Sequence, residues 1–148
     1  MKRTILTAIT LLFITSVYAQ ILAPVKWSYA AKKTGTNEAT VYFKATIEPG
    51  WHIYSLNVGE GGPIKTDFTF SSSKDFTLVG KVTEPTPVTR FEKAFNMNVS
   101  YFENSVIFQQ KIKLKKAATT VKGKLEYMTC NDQKCLPPED IDFSVDVK

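Results

Sequence analysis

Period-two alternation of apolar and polar side chains constrains this chain more than any other feature. Ala39, Val41, Phe43, Ala45 and Ile47 are apolar, while Thr40, Tyr42, Lys44, Thr46 and Glu48 between them are polar or amphipathic. Neighbouring side chains of a strand point to opposite faces, so the pattern specifies a strand with one buried face. The C-terminal segment repeats it, with Ile141, Phe143, Val145 and Val147 alternating with Asp142, Ser144, Asp146 and Lys148. Val25, Trp27 and Tyr29 open a further strand. Phe68 and Phe70, Phe76 and Leu78, then Val106, Phe108, Ile112 and Leu114, and finally Leu125 and Tyr127 supply the others. Turn signals separate them at Pro49-Gly50, Gly59 to Pro63, Ser71 to Ser73 and Pro85 to Pro87. About seven to eight main strands with little helix predict an all-β, antiparallel, immunoglobulin-like sandwich. One stretch breaks the pattern. Phe91, Phe95, Val99, Phe102 and Val106 recur every three or four residues, a helical interval, but Asn96, Asn98, Ser100 and Asn104 lower helix propensity. It reads as a long loop leading into a strand.

The first twenty residues, MKRTILTAITLLFITSVYAQ, set Lys2 and Arg3 before an apolar run from Ile5 to Val17 and end it on a small-residue pattern at Ala19. This is the layout of a secretory signal peptide over residues 1–19, cleaved before Gln20. A spanning helix needs roughly 20 mostly apolar residues, and this run is shorter and interrupted by threonines. The expected product is an exported domain over residues 20–148 that does not span the membrane after cleavage and lives where disulfides persist. A domain of this size buries a core without staples. The formal charge of +5 includes Lys2 and Arg3, so the exported chain carries a smaller excess. Lys111, Lys113, Lys115 and Lys116 form the densest basic patch, with at least three on one strand face. It reads as a solvated strand, or an edge guarded against aggregation, and not as a nucleic-acid footprint.

The only two cysteines, Cys130 and Cys135, lie in YMTCNDQKCLPPED, Tyr127 to Asp140. Three readings compete. A bridge across so short a loop is worth about 2 kcal/mol in the chain-entropy model, against about 4.7 for a loop of 100 residues, so a structural staple is weakly motivated. A structural zinc site wants four Cys or His ligands, and the chain offers two cysteines and the single histidine His52; a copper site would recruit Met97 or Met128. Thiol-disulfide exchange needs one accessible sulfur and a second near enough to resolve the mixed disulfide, which a short exposed hairpin provides. Lys134 adjoins Cys135 and favours its thiolate, with Asp132 opposing. Pro137 and Pro138 hold the exit strand extended. With one histidine and no Gly-x-Ser-x-Gly, there is no basis for a hydrolase triad.

The terminal hairpin resembles the N-terminal periplasmic domain of the thiol:disulfide interchange protein DsbD. The matching residues are Tyr127-Met128-Thr129-Cys130, the polar tip, and Cys135-Leu136-Pro137-Pro138-Glu139. Further likenesses are Gly50-Trp51-His52-Ile53-Tyr54-Ser55, the turn Gly61-Gly62-Pro63, and Ala94-Phe95-Asn96 upstream of Tyr101-Phe102. The resemblance implies an immunoglobulin-like fold, a periplasmic location, no cofactor and no metal. It also implies a thiol:disulfide oxidoreductase component that passes reducing equivalents between thioredoxin-like proteins, including those of cytochrome c maturation. By that resemblance Cys135 forms the mixed disulfide and Cys130 resolves it. Phe95, or alternatively Phe91, is the aromatic of a cap loop over the disulfide, and Tyr54 and His52 align with aromatic positions beside the site. On the residues alone, Phe95 reads equally as core, Tyr54 as packing, and His52 as a structural or surface histidine. As a base His52 would titrate near neutral pH, and nothing in the sequence places it near Cys135.

Two departures stand out. The residues accompanying the cap aromatic are Lys93 and Ala94, where some relatives have acids. The chain ends at Lys148, just after the last strand, so the expected reductant is membrane-bound and acts in trans. The competing reading is a non-catalytic exported sandwich that binds a partner and whose hairpin disulfide is structural.

Overall fold

Alternation becomes architecture in the computed structural model, which describes residues 22–148. The leader and its cleavage point before Gln20 lie outside the described residues. The strands are β1 (Val25–Gly35), β2 (Glu38–Ile47), β3 (Trp51–Tyr54), β4 (Asp67–Phe70), β5 (Phe76–Thr83), β6 (Val88–Glu92), β7 (Met97–Glu103), β8 (Ser105–Leu114), β9 (Thr119–Tyr127), β10 (Thr129–Asn131) and β11 (Glu139–Val147). All pairings are antiparallel, and the sheet orders are β1-β2-β8-β5, β11-β9-β4 and β10-β3-β7-β6. The fold is an immunoglobulin-like β-sandwich. Only one residue separates β7 from β8 (Asn104) and β9 from β10 (Met128), and only the Glu48–Gly50 turn separates β2 from β3. Taken as three bent runs, these pairs reduce eleven strands to eight, beside the seven to eight expected.

The first two sheets enclose the main core. Phe43 of β2 lies at its centre, with ring centroids 4.7 Å from Phe68 of β4 and 4.8 Å from Phe143 of β11. Tilted and edge-on pairs of this kind contribute roughly 0.5–1.5 kcal/mol each beyond the area they bury. β9 carries Gly123 opposite Phe143 because an added Cβ there would collide with the Phe143 ring and the Thr69 carbonyl.

The third sheet closes one end of the sandwich, and its strands reach it by bending. At Asn104, φ is 61°, a left-handed turn in which β7 leaves the end sheet and β8 begins; the Asn104 carbonyl accepts from the Ile47 N–H at 2.8 Å. β3 is buried along its whole length. Trp51 and Ile53 enter the main core, while His52 and Tyr54 face a second, smaller cluster built from Tyr54, Val99, Tyr101 and Cys130. A strand covered on both faces has no polar row, which is why alternation does not reveal it.

The stretch read as a long loop is a hairpin. β6 and β7 pair from Val88↔Tyr101 to Glu92↔Met97, and the turn between them is held by Phe95 N–H to Glu92 O (3.2 Å) and Asn96 N–H to Lys93 O (3.3 Å). Asn96 takes the left-handed conformation, φ 52°, that closes it. The three-to-four spacing of the phenylalanines is accidental: Phe91 is exposed on one strand, Phe95 sits in the turn, and Phe102 enters the core from the next strand. Of the two readings of the lysine patch, the solvated strand holds and the guarded edge does not. Lys111 and Lys113 lie on the outer face of β8, an interior strand and not an edge, while Lys115 and Lys116 follow its end and engage Asp75.

Candidate functional site: a disulfide hairpin at the sandwich end

The chain emerging from β9 bends at Met128 and adds β10 to the edge of the end sheet, in register Thr129↔Ile53, Cys130↔His52 and Asn131↔Trp51. Thr129 Oγ1 donates to the His52 carbonyl at 2.9 Å and locks that register. The tip then folds on Asn131. Its side-chain oxygen accepts from the amides of Gln133 (2.9 Å) and Lys134 (2.8 Å), and its own N–H donates to the Lys134 carbonyl at 2.9 Å. This Asx-type turn brings Cys135 back opposite Cys130, and the two are disulfide-bonded. Leu136 N–H to Thr129 O (2.9 Å) closes the hairpin below the bridge.

The two sulfurs occupy different environments. Cys130 is 2% exposed and belongs to the apolar cluster, whereas Cys135 is exposed with the rest of the tip. A cleft of about 280 Å³ runs beside the bridge, lined among others by His52, Tyr54, Ala94, Phe95 and Lys134. Phe95 presents its ring edge-on to Tyr54, 6.4 Å between centroids. Phe91 does not reach this cleft. Along β6 it alternates with Arg90 and Glu92, so it faces the opposite side of the sheet from the bridge and stays 56% exposed. Lys134 is exposed at the tip. Met97 and Met128 pack against the apolar cluster beside Cys130, and both cysteine sulfurs are taken up in the bridge.

Of the readings that the sequence leaves open for His52, the structure shows the buried one. His52 is 3% exposed, sits directly across from Cys130, and its Nε2 lies 3.3 Å from the Tyr54 hydroxyl. The pairing spans 78 residues of sequence, so no local pattern announces it. Burial, reinforced by the Arg90 guanidinium and opposed by Asp132, lowers its pKa to about 4, so it is neutral at pH 7 and does not titrate there. Tyr54 is pushed up to about 12 by burial and by Glu92, with Arg90 opposing, and keeps its proton. The backbone of Tyr54 is pinned by Thr66 Oγ1, which donates to its carbonyl, while Glu84 accepts from the Leu56 amide at 2.8 Å just beyond.

Arg90 is the residue that sequence reasoning missed. Its guanidinium carbon lies 4.7 Å from the centroid of the Tyr101 ring, Nη2 is 3.5 Å from Asp132 on the hairpin tip, and Nε is 3.6 Å from Glu92. It joins the β6–β7 hairpin to the cysteine hairpin. A lone arginine amid a stretch read as loop gives no signal; the β6–β7 pairing brings it over Tyr101.

These features define a class: an immunoglobulin-like domain that carries a half-exposed disulfide on a hairpin at the end of the sandwich, with an aromatic turn beside it. The chain belongs to the family described as thiol:disulfide interchange protein DsbD, N-terminal, whose model matches residues 19–146. Among solved structures it is similar to the N-terminal periplasmic domain of ScsB from Proteus mirabilis, at 19% identity and a TM-score of 0.60, covering 85% of this chain and 47% of that one. The chain thus spans about half the length of that ScsB structure. It is also similar to a chain from the complex between the DsbD N-terminal and PilB N-terminal domains of Neisseria meningitidis, at 17% identity and a TM-score of 0.53, covering 84% and 87%. No curated protein sequence matches it.

Proposed function

We propose that this domain, residues 20–148 of an exported chain, is a periplasmic thiol-disulfide exchange module acting between thioredoxin-like proteins. In the reduced form the Cys135 thiolate attacks one sulfur of a partner disulfide. A mixed disulfide forms through Cys135, and the partner's other sulfur leaves as a thiolate. Cys130 then attacks the Cys135 sulfur, restores the internal bridge and releases the partner's remaining thiolate, so two electrons pass to the partner. A membrane-bound reductant acting in trans, through a thioredoxin-like dithiol, returns the pair to the reduced state by the reverse sequence.

The observation that carries this reading is the asymmetry of the bridge: Cys135 is exposed, as a sulfur that meets a partner must be, and Cys130 is 2% exposed, as suits one that acts only on Cys135. Membership in the DsbD N-terminal family supports the same chemistry. Within this scheme Phe95 is the cap aromatic, Tyr54 and neutral His52 form the floor beneath it, and Lys134 supplies positive charge next to the Cys135 thiolate.

The test is a pair of single-sulfur variants. Cys130→Ser is expected to accumulate a disulfide-linked thioredoxin-fold partner through Cys135, while Cys135→Ser is expected to trap none because Cys130 is covered. A redox titration of the wild type is expected to place the pair well above the roughly −300 mV below which structural bridges lie. Equal trapping by both variants, or a potential below that limit, replaces this reading with a binding module braced by a fixed bridge.

A further inference from the structure

Charge in the sandwich is sorted by face. In β1, β2, β5 and β8 the only acid is Glu38, and the outward rows of that sheet carry Lys26, Lys32, Lys44, Lys111 and Lys113. The registers fix their positions. Lys32 and Lys111 flank Thr40 on either side, Lys113 lies between Glu38 and Thr77, and Lys44 lies between Ser28 and Ile107. All five are exposed, and none forms an ion pair among the described residues. The outward rows of β4, β9 and β11 are the reverse: Asp67, Glu126, Asp140, Asp142 and Asp146 outnumber Lys122 and Lys124.

Ordinary surfaces intersperse the two signs, and a sheet face with five lysines against the single acid Glu38 carries the kind of field that serves steering or docking. The cations on this sheet are all lysines, compact point charges without the planar fork that arginine uses for shape-specific pairing, and they are spread over all of its rows but the Tyr42 row instead of converging on a groove. Exposed Ile107 and Val79 lie among them, 43% and 47% accessible. Such an array complements a plane of diffuse negative charge better than a carved protein site.

We propose that the outer face of the β1-β2-β8-β5 sheet docks the domain on an anionic phospholipid surface. The disulfide hairpin lies on a different sheet, at the end of the sandwich, so docking by the lysine face leaves it open to partners. The inference adds to the exchange reading the place where the exchange occurs, since a membrane-bound reductant would then be met in two dimensions. The binding itself involves no sulfur, so it stands or falls separately from that reading.

The experiment is sedimentation of the full exported chain with vesicles of phosphatidylglycerol mixed with phosphatidylcholine, compared with vesicles of phosphatidylcholine alone. Binding is expected only to the anionic vesicles, to fall as salt is raised, and to weaken about fivefold for each lysine replaced near the surface, so roughly a hundredfold for K44Q/K111Q/K113Q. The control K122Q/K124Q, on the opposite sheet, is expected to bind like the wild type, and both variants are expected to keep the wild-type rate of reaction with a small thiol. Cys130→Ser/Cys135→Ser is expected to bind vesicles unchanged. Absence of vesicle binding at low salt, equal weakening by the control variant, or binding to polyglutamate in preference to the anionic vesicles overturns the proposal; the last would make the face a site for an acidic protein.

Discussion

At the scale of single residues, the site is built from side chains held in one protonation state. The chain has one histidine, and the fold places it where a charged imidazole is disfavoured by burial and by Arg90. The consequence for stability has a definite sign. Above about pH 6.5 His52 is neutral folded and unfolded, and contributes nothing to pH dependence. As pH falls from 6.5 toward 4 the unfolded chain takes up a proton that the folded chain refuses, so the folded state is progressively destabilised, by up to about 3 kcal/mol. Below pH 4 both states are protonated and the loss levels off. Denaturant titrations from pH 7 to 4 are therefore expected to show a steeper decline for the wild type than for His52→Gln. The lone imidazole signal in proton NMR is expected not to shift between pH 6 and 8. An inflection near 6.5 in that signal would mean that His52 is solvated and free to act as the neutral-pH base considered from sequence.

At the scale of elements, what was legible follows from how many faces each strand buries. β1, β2, β8, β9 and β11 each cover one face, and their alternation announces them. β3 covers two and β10 has three residues, so neither carries a pattern, although β3 and β10 bear His52, Tyr54 and Cys130. The cysteine hairpin was readable because its turn chemistry is local. Its neighbours Phe95, Tyr54 and His52 were named through the family resemblance and not from any local pattern, because the β3–β10 and β3–β7 pairings that bring them beside Cys130 are long-range. The β6–β7 register separates the two cap candidates. Phe95 stands beside the bridge, and Phe91 on the far face of β6. Phe95→Ala is expected to speed reduction of the bridge by dithiothreitol severalfold, roughly three- to tenfold, by widening access to sulfur. Phe91→Ala is expected to leave the rate at the wild-type value. Stopped-flow kinetics of the oxidised variants measure both, and similar rates for wild type and Phe95→Ala would reduce Phe95 to packing.

At the scale of the whole molecule, the question is whether a domain can open its only disulfide and remain folded. The main core, centred on Phe43, Phe68, Phe108 and Phe143, does not include Cys130, which belongs to the separate cluster at the sandwich end. Breaking the bridge frees only the loop between two residues five apart in sequence, a loss of about 2 kcal/mol in the chain-entropy model. That is small beside the 5–15 kcal/mol typical of a folded domain. For a two-electron couple it is equivalent to only about 40 mV of extra resistance to reduction, so the fold does little to hold the bridge shut. Urea unfolding of the oxidised and reduced protein is expected to give single cooperative transitions of similar slope, with midpoints differing by that small energy. The near-ultraviolet signal of the core aromatics is expected to persist on reduction. A reduced chain that loses this signal, or is weakened by 5 kcal/mol or more, would show the bridge to be a structural staple, and a pair that must stay closed for the sandwich to exist cannot carry electrons between partners.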